Sequence, residues 1–240
     1  DRYPRATDHI PEMIEIVEGL IANGHAYVTA AGNVYFDVSS FPAYGALSHN
    51  TVEELEAGAR VEVLDEKRHP ADFALWKRDA KHQMQWDSPW GRGFPGWHIE
   101  CSAMSRKYLG DTLDIHTGGE DNVFPHHECE IAQSEAHTHK RFVSIWMHAR
   151  HLLVDNTKMS KSLGNFFTVS DILKKGYSGL ELRYALIRVQ YRQSLNFTLK
   201  GLDEARAAIA RVNGARSRLG RVRGGAERPR SACLRAARPQ

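Results

Sequence analysis

Thr112-Leu113-Asp114-Ile115-His116-Thr117-Gly118-Gly119-Glu120-Asp121 decides how this chain is read, because a β-rich run passes directly into a glycine pair flanked by polar side chains. Upstream, Trp97–Glu100 reads as a short strand and Ser102–Leu109 as a helix stopped by Gly110. Downstream, Pro125–Ala136 reads as a helix with proline in its first turn, and Val143–His148 as a further strand. Leu152–Val154 follows as a hairpin arm. The order strand, helix, strand, helix, strand predicts an α/β fold with part of a doubly wound parallel sheet. Ligands of such sheets bind beyond the carboxyl ends of the strands. His116–Asp121 and Lys158-Met159-Ser160-Lys161-Ser162 both follow strands, so both are expected to line one crevice.

The flanks have a different texture. Ile10, Met13, Ile14, Val17, Leu20 and Ile21 recur with helical spacing, with Thr7 or Asp8 as cap and Gly24 at the end. Ala26–Ala30 and Val34–Val38 read as a hairpin turning at Gly32-Asn33. Residues 40–95 look irregular, punctuated by Pro42, Gly45, Pro70, Pro89, Gly91, Gly93 and Pro95. Trp76, Trp86 and Trp90 are expected to pack rather than to recognise anything. Beyond Val169 the chain reads as helical. The expected division is 1–92, a helix plus β-hairpin insertion; 93–166, the sheet with the lysine loop; 167–213, helices; and 214–240, a disordered arginine-rich tail.

Composition sets bounds. With 240 residues, 42% hydrophobic and 25% charged, the chain is ordinary soluble globular material. No apolar run approaches the roughly 20 residues that span a bilayer, and no signal peptide opens it. Cys101, Cys129 and Cys233 form no disulfide framework, so a reducing, cytoplasmic setting is expected. The net charge of +3 misleads. Residues 214–240 hold eight arginines and Glu227, a net of +7; the other 213 residues hold 24 basic and 28 acidic groups, a net of −4. Global charge therefore gives no argument for nucleic-acid binding.

Two groups of residues carry chemistry. His126 and Glu130 are four apart on an expected helix and share a face, and Cys101 sits at the expected end of a strand. Sulfur, imidazole and carboxylate together suit Zn²⁺. His127 and Cys129 are rival ligands that spacing does not exclude. His98 and His116 abut strand ends. His9, His25, His69, His82, His137, His139 and His151 show no partner spacing and read as solvated. The pentapeptide Lys158–Ser162 arises by chance in about one in ten thousand chains of this length. Lysines in a loop at the mouth of a nucleotide fold neutralise triphosphate charge during in-line displacement.

Four stretches, GWHIECSAMS, HTGGEDNVFPHHECEIAQSEA, WMHARHLLVDNTKMSKSLGNFFTVSDIL and LRYALIRVQYRQSLNFT, resemble cysteinyl-tRNA synthetase, a class I aminoacyl-tRNA synthetase. The resemblance covers residues 2–215. It implies the C-terminal half of a Rossmann-like catalytic domain at 93–166 and a helical stem-contact region at 167–213. It also implies a zinc ion held by Cys101, His126 and Glu130 that takes the thiolate of substrate cysteine, with Trp97 beside that ligand. A soft thiolate is thereby told from a serine hydroxyl without an editing site. By the same resemblance His116, Gly118, Gly119 and Asp121 approach the adenosine ribose and the amino acid, Asp121 contacting both. Lys158 and Lys161 stabilise the α-phosphate of ATP, which arrives with Mg²⁺. Cysteine, ATP and tRNA(Cys) are the implied substrates.

The family's HIGH-type histidine motif and its further zinc-binding cysteine are absent; Cys129 and Cys233 lie in the wrong context. The expectation is a truncated chain whose N-terminal half is a missing partner, with a frame change near residue 214. The other reading of the tail is a basic arm on tRNA phosphates. A non-catalytic zinc-binding remnant, and the related cysteine:aminosugar ligase of thiol-cofactor biosynthesis, stand as alternative functions.

Overall fold

The computed structural model describes residues 2–50 and 66–224, with side chains described to residue 219. It divides into two compact units between Ala149 and Arg150, inside the segment read as one sheet with its loop.

The first unit opens with α1, Ile10–Ala22. Met13, Ile16, Val17 and Leu20 fall on one stripe and are fully buried, each worth about 1.5–3 kcal/mol. No side chain caps α1; its start follows a 3₁₀ turn at Ala6–Asp8, and Pro11 supplies the preset φ instead of Thr7 or Asp8. The expected hairpin forms as β1, Ala26–Val28, paired antiparallel with β2, Val34–Phe36. The stretch read as irregular contributes two more antiparallel strands, β3, Phe73–Lys77, and β4, Phe94–Pro95, in the order β1-β2-β3-β4. Phe73, Leu75 and Trp76 of β3 are buried, Leu75 and Trp76 consecutively, so the run carries no clean period-two alternation and lies among prolines and glycines. Trp76 lies in the core, and Trp86 and Trp90 pack against it, as expected.

Residues 97–109 depart from the strand-then-helix expectation. They form one helix, α2, Trp97–Leu109, not a strand and a helix. Extended Gly96 follows β4 and sits at the N-cap directly before the helix. Ile99, Ser102 and Ala103 then fall on one buried face at helical spacing. The aromatic, β-branched start of this stretch favours a strand locally, and packing against α1 overrides that. Strand β5 runs Leu113–Gly119, longer than expected, because His116–Gly119 pair in parallel with Trp146–Ala149 of β6, Val143–Ala149. Between them lies α3, Glu128–Thr138, entered through a π-helical turn at Val123–His127 in which Phe124 is non-helical. The helix therefore starts three residues later than expected.

Glu128 anchors that start: its carboxylate accepts the N–H of Gly45 at 3.1 Å and of Ser48 at 2.6 Å. Ser102 of α2 donates to Gln133 of α3 at 2.8 Å, both buried. Leu113, Phe142 and Val143 form a small buried cluster with Ile131 and Trp146 packed against it. Ile115 and Ile145 are register partners and stand 53% and 55% exposed. This sheet contains only β5 and β6 among the described residues. His9, expected in solvent, is buried: Nδ1 contacts the Arg5 carbonyl at 2.7 Å and Nε2 the Tyr108 hydroxyl at 2.9 Å.

The second unit begins with β7, Leu152–Val154, which pairs antiparallel with β8, Thr157–Lys158, across an Asp155-Asn156 turn with both residues at positive φ. Helices α4, Val169–Lys174, and α5, Gly179–Ile187, each start with a capping box, Thr168 with Asp171 and Ser178 with Glu181. Strand β9, Leu195–Phe197, lies parallel to β7, and α6 runs Leu199–Gly224. Val154, Ile172, Ala185, Phe197, Leu202 and Ala205 form this unit's core. The expected disorder from residue 214 is overturned as far as Gly224, because alanine and arginine favour continuing the helix. Residues 225–240 of that tail lie outside the described residues. No helix among the described residues is long and apolar enough to cross a membrane.

Candidate metal centre and lysine loop

α2 and α3 meet where the sequence placed its mixed donors. Cys101 in the second turn of α2, His126 in the π-helical turn and buried Glu130 in α3 present ligand atoms within 4.8 Å of one another. Cys101 thus reaches the cluster from a helix rather than from a strand end. Glu130 Oε1 lies 2.7 Å from His126 Nε2, yet it is buried without a hydrogen bond of ordinary geometry. That leaves a lone pair aimed into the cluster. A soft sulfur, a borderline nitrogen and a hard oxygen around such an atom fit Zn²⁺.

His126 is held from behind. Its Nδ1 is 2.8 Å from His98 Nδ1, and its ring stacks on Trp97 at 4.4 Å between centroids with 17° between planes. For Nε2 to face a cation, His126 carries its proton on Nδ1 and gives it to His98. Burial, then the neighbouring His126, holds His98 down to about 4, so His98 is neutral and able to accept. Trp97 opens α2 and is 60% exposed, forming a solvent-facing wall beside the cluster.

Glu130 has a second partner. Its Oε2 is 2.6 Å from His116 Nε2, and His116, His127 and Glu130 form another group of ligand atoms within 4.8 Å. His127 contacts His148 Nε2 through Nδ1 at 2.8 Å, and the His116 ring stacks on Trp146. Burial opposes ionisation of Glu130, but His116 and then His126 outweigh it and hold the carboxyl below its ordinary value. Burial likewise opposes protonation of His116, and the Glu130 hydrogen bond and charge overcome it and raise that ring. Burial pulls His127 down to about 4. Burial, Glu130 and Glu100 push the Cys101 thiol up to about 12, so a cation bound there displaces its proton.

Of the rival ligands, His127 sits in the second group. Cys129 sits in the apolar core, with its sulfur 3.4 Å from the Tyr44 hydroxyl. His148 escaped the sequence reading; its position at the end of a strand parallel to that of His116 was the available signal. Gly118 and Gly119 lie in β5, and a Cβ on Gly118 would stand 2.5 Å from His127 Cε1. That glycine therefore makes room for an imidazole. Asp121 follows in a 3₁₀ turn and is exposed.

In the second unit, Lys158 ends β8 and Lys161 lies in the following turn, both exposed. The Lys161 Nζ is 5.7 Å from the centroid of Phe166.

Residues 1–207 match the family described as tRNA synthetases class I (C) catalytic domain. Among relatives, a cysteine–tRNA ligase of Carboxydothermus hydrogenoformans is 57% identical over 211 residues, and one of Symbiobacterium thermophilum 56% over 214. One of Protochlamydia amoebophila is 51% identical over 217. Each alignment takes in 88% of this chain and 45% of the relative, so the chain spans about half the length of these proteins. With a match over most of its length, the chain belongs to the class I (C) tRNA synthetase catalytic-domain family.

Proposed function

We propose that this chain is part of a cysteine–tRNA ligase, contributing the pocket that selects cysteine and the loop that activates ATP. The observation that carries this reading is the convergence of Cys101, His126 and Glu130 beside the exposed face of Trp97. These three side chains would hold Zn²⁺, which when bound supplies a soft site for the substrate's thiolate. Serine's hydroxyl, a harder donor, gains less there, so discrimination needs no second hydrolytic site.

The chain's own residues divide the work. His98 fixes the ring of His126, and Glu130 holds His116 at the end of β5 that leads into Gly118, Gly119 and Asp121. Those residues would approach the ribose and the amino group of cysteine, with Trp97 closing the side-chain pocket. Lys158 and Lys161 would balance charge on the α-phosphate as the cysteine carboxylate attacks ATP–Mg²⁺ and pyrophosphate leaves. The cysteinyl group then passes to the terminal ribose of tRNA(Cys). We read β5–α3–β6 as the C-terminal part of a doubly wound, Rossmann-like sheet, residues 1–92 as an insertion and 167–213 as a stem-contact region. The reaction is placed in the cytoplasm.

The test is ATP–pyrophosphate exchange by the full-length protein with cysteine or serine, followed by charging of tRNA(Cys). Cysteine-dependent exchange and charging are expected. Equal exchange with serine removes the metal-based selection, and no exchange with either removes the ligase reading.

A further inference from the structure

Lys158 at the end of β8 and Lys161 in the loop that leads to α4 are tied together by one side chain, which closes the segment into a ring. Asn165 Oδ1 accepts the N–H of Ser160 at 2.9 Å, and Asn165 Nδ2 donates to the carbonyl of Lys158 at 3.2 Å. Inside the ring, Ser160 Oγ accepts the Leu163 N–H at 3.3 Å, and Gly164, at φ +68°, donates its N–H to the Lys161 carbonyl at 3.2 Å. Asn165 is half-buried, whereas Lys158 and Lys161 are exposed. A carboxamide can do this because it offers an acceptor and a donor from adjacent atoms. Alanine offers neither, and a carboxylate only the acceptor.

We propose that Asn165 is a positioning residue for the lysine loop: by bridging Ser160 and Lys158 it fixes the backbone from which both lysines reach the phosphates. This rests on the reading of Lys158 and Lys161 as charge-stabilising groups. Ordering the loop in advance removes an entropic cost otherwise met during the reaction. The effect therefore falls on the chemical step rather than on ATP binding.

The experiment is cysteine-dependent ATP–pyrophosphate exchange by the full-length protein, comparing wild type, Asn165→Ala, Lys158→Ala/Lys161→Ala and the triple variant. Hydrogen exchange at the Ser160 amide is followed in parallel, with Asn165→Asp added. Asn165→Ala should lower kcat by about 10- to 100-fold while KM for ATP stays within about twofold. In the double-lysine background the same substitution should have almost no further effect, because the groups it positions are gone. The Ser160 amide should stay protected in Asn165→Asp, which keeps the acceptor, and lose protection in Asn165→Ala. An unchanged kcat in Asn165→Ala, or losses that multiply in the triple variant, overturns the proposal while leaving the lysines' role intact. An unchanged rate in the double-lysine variant overturns the reading of the loop itself, and this role with it.

Discussion

Glu130 Oε2 stands 2.6 Å from His116 Nε2, tying α3 to strand β5, while the other oxygen of the same carboxylate lies 2.7 Å from His126 Nε2. One buried acid thus faces a histidine on each side. Truncating it would leave the His116 ring without its counter-charge in a desolvated space and would remove the contact to His126. It also links the candidate cation site to the strand that ends in Gly118-Gly119.

If His98 orients His126, its ring nitrogen matters more than its bulk. His98→Phe keeps an aromatic ring against Phe73 and removes the contact to Nδ1. Zinc affinity should fall about 10- to 100-fold, as for other groups that orient a metal ligand. Competition against a chromogenic chelator measures this, and undiminished affinity would show that Trp97 stacking alone holds the ring.

Lys161→Ala should slow adenylate formation about 10²–10³-fold, the scale for removing one donor that stabilises developing charge. Single-turnover pyrophosphate release reads it directly. A normal rate takes Lys161 out of the chemistry.

Gly118→Ala places a methyl 2.5 Å from His127 Cε1 and 2.9 Å from its Nε2. Overpacking of this kind costs about 1–3 kcal/mol, and thermal melting should register it. The His127–His148 contact should also loosen, visible as altered imidazole resonances. A variant as stable as wild type would mean the ring has space that the structure denies it.

Alkaline stability should depend on Tyr27. Burial, then its hydrogen bond to Asp72 at 2.7 Å, pushes the Tyr27 phenol up to about 12 from an ordinary 10. Because the folded state holds the proton more tightly, the contribution is complete below about pH 10 and is lost as pH rises toward 12. Tyr35 is raised in the same direction by burial and Glu66. Urea midpoints from pH 8 to 12 should therefore fall in wild type and fall less steeply in Tyr27→Phe. Superimposable slopes would exclude the phenol.

Features with a strong local signature could be read from sequence. The α1 stripe, the Gly32-Asn33 hairpin and the β5–α3–β6 succession all announce themselves through spacing and turn residues. So did the candidate donors, since His126 and Glu130 are separated by one helical turn. What escaped was decided by partners distant in the chain. Trp97–Glu100 has strand-like residues, but helical packing of Ile99 and Ala103 against α1 governs it. Phe73–Lys77 is a strand because β2 lies alongside, and nothing within those five residues outweighs the surrounding prolines and glycines. His148 joins the imidazole group only because the parallel register sets it opposite Gly118.

The outward pair Ile115 and Ile145 has a practical corollary. A two-stranded ribbon with apolar side chains standing half-exposed on one face is adhesive in water. Residues 1–240 expressed by themselves should clump as they are concentrated, and should stay monodisperse longer when either isoleucine is exchanged for threonine.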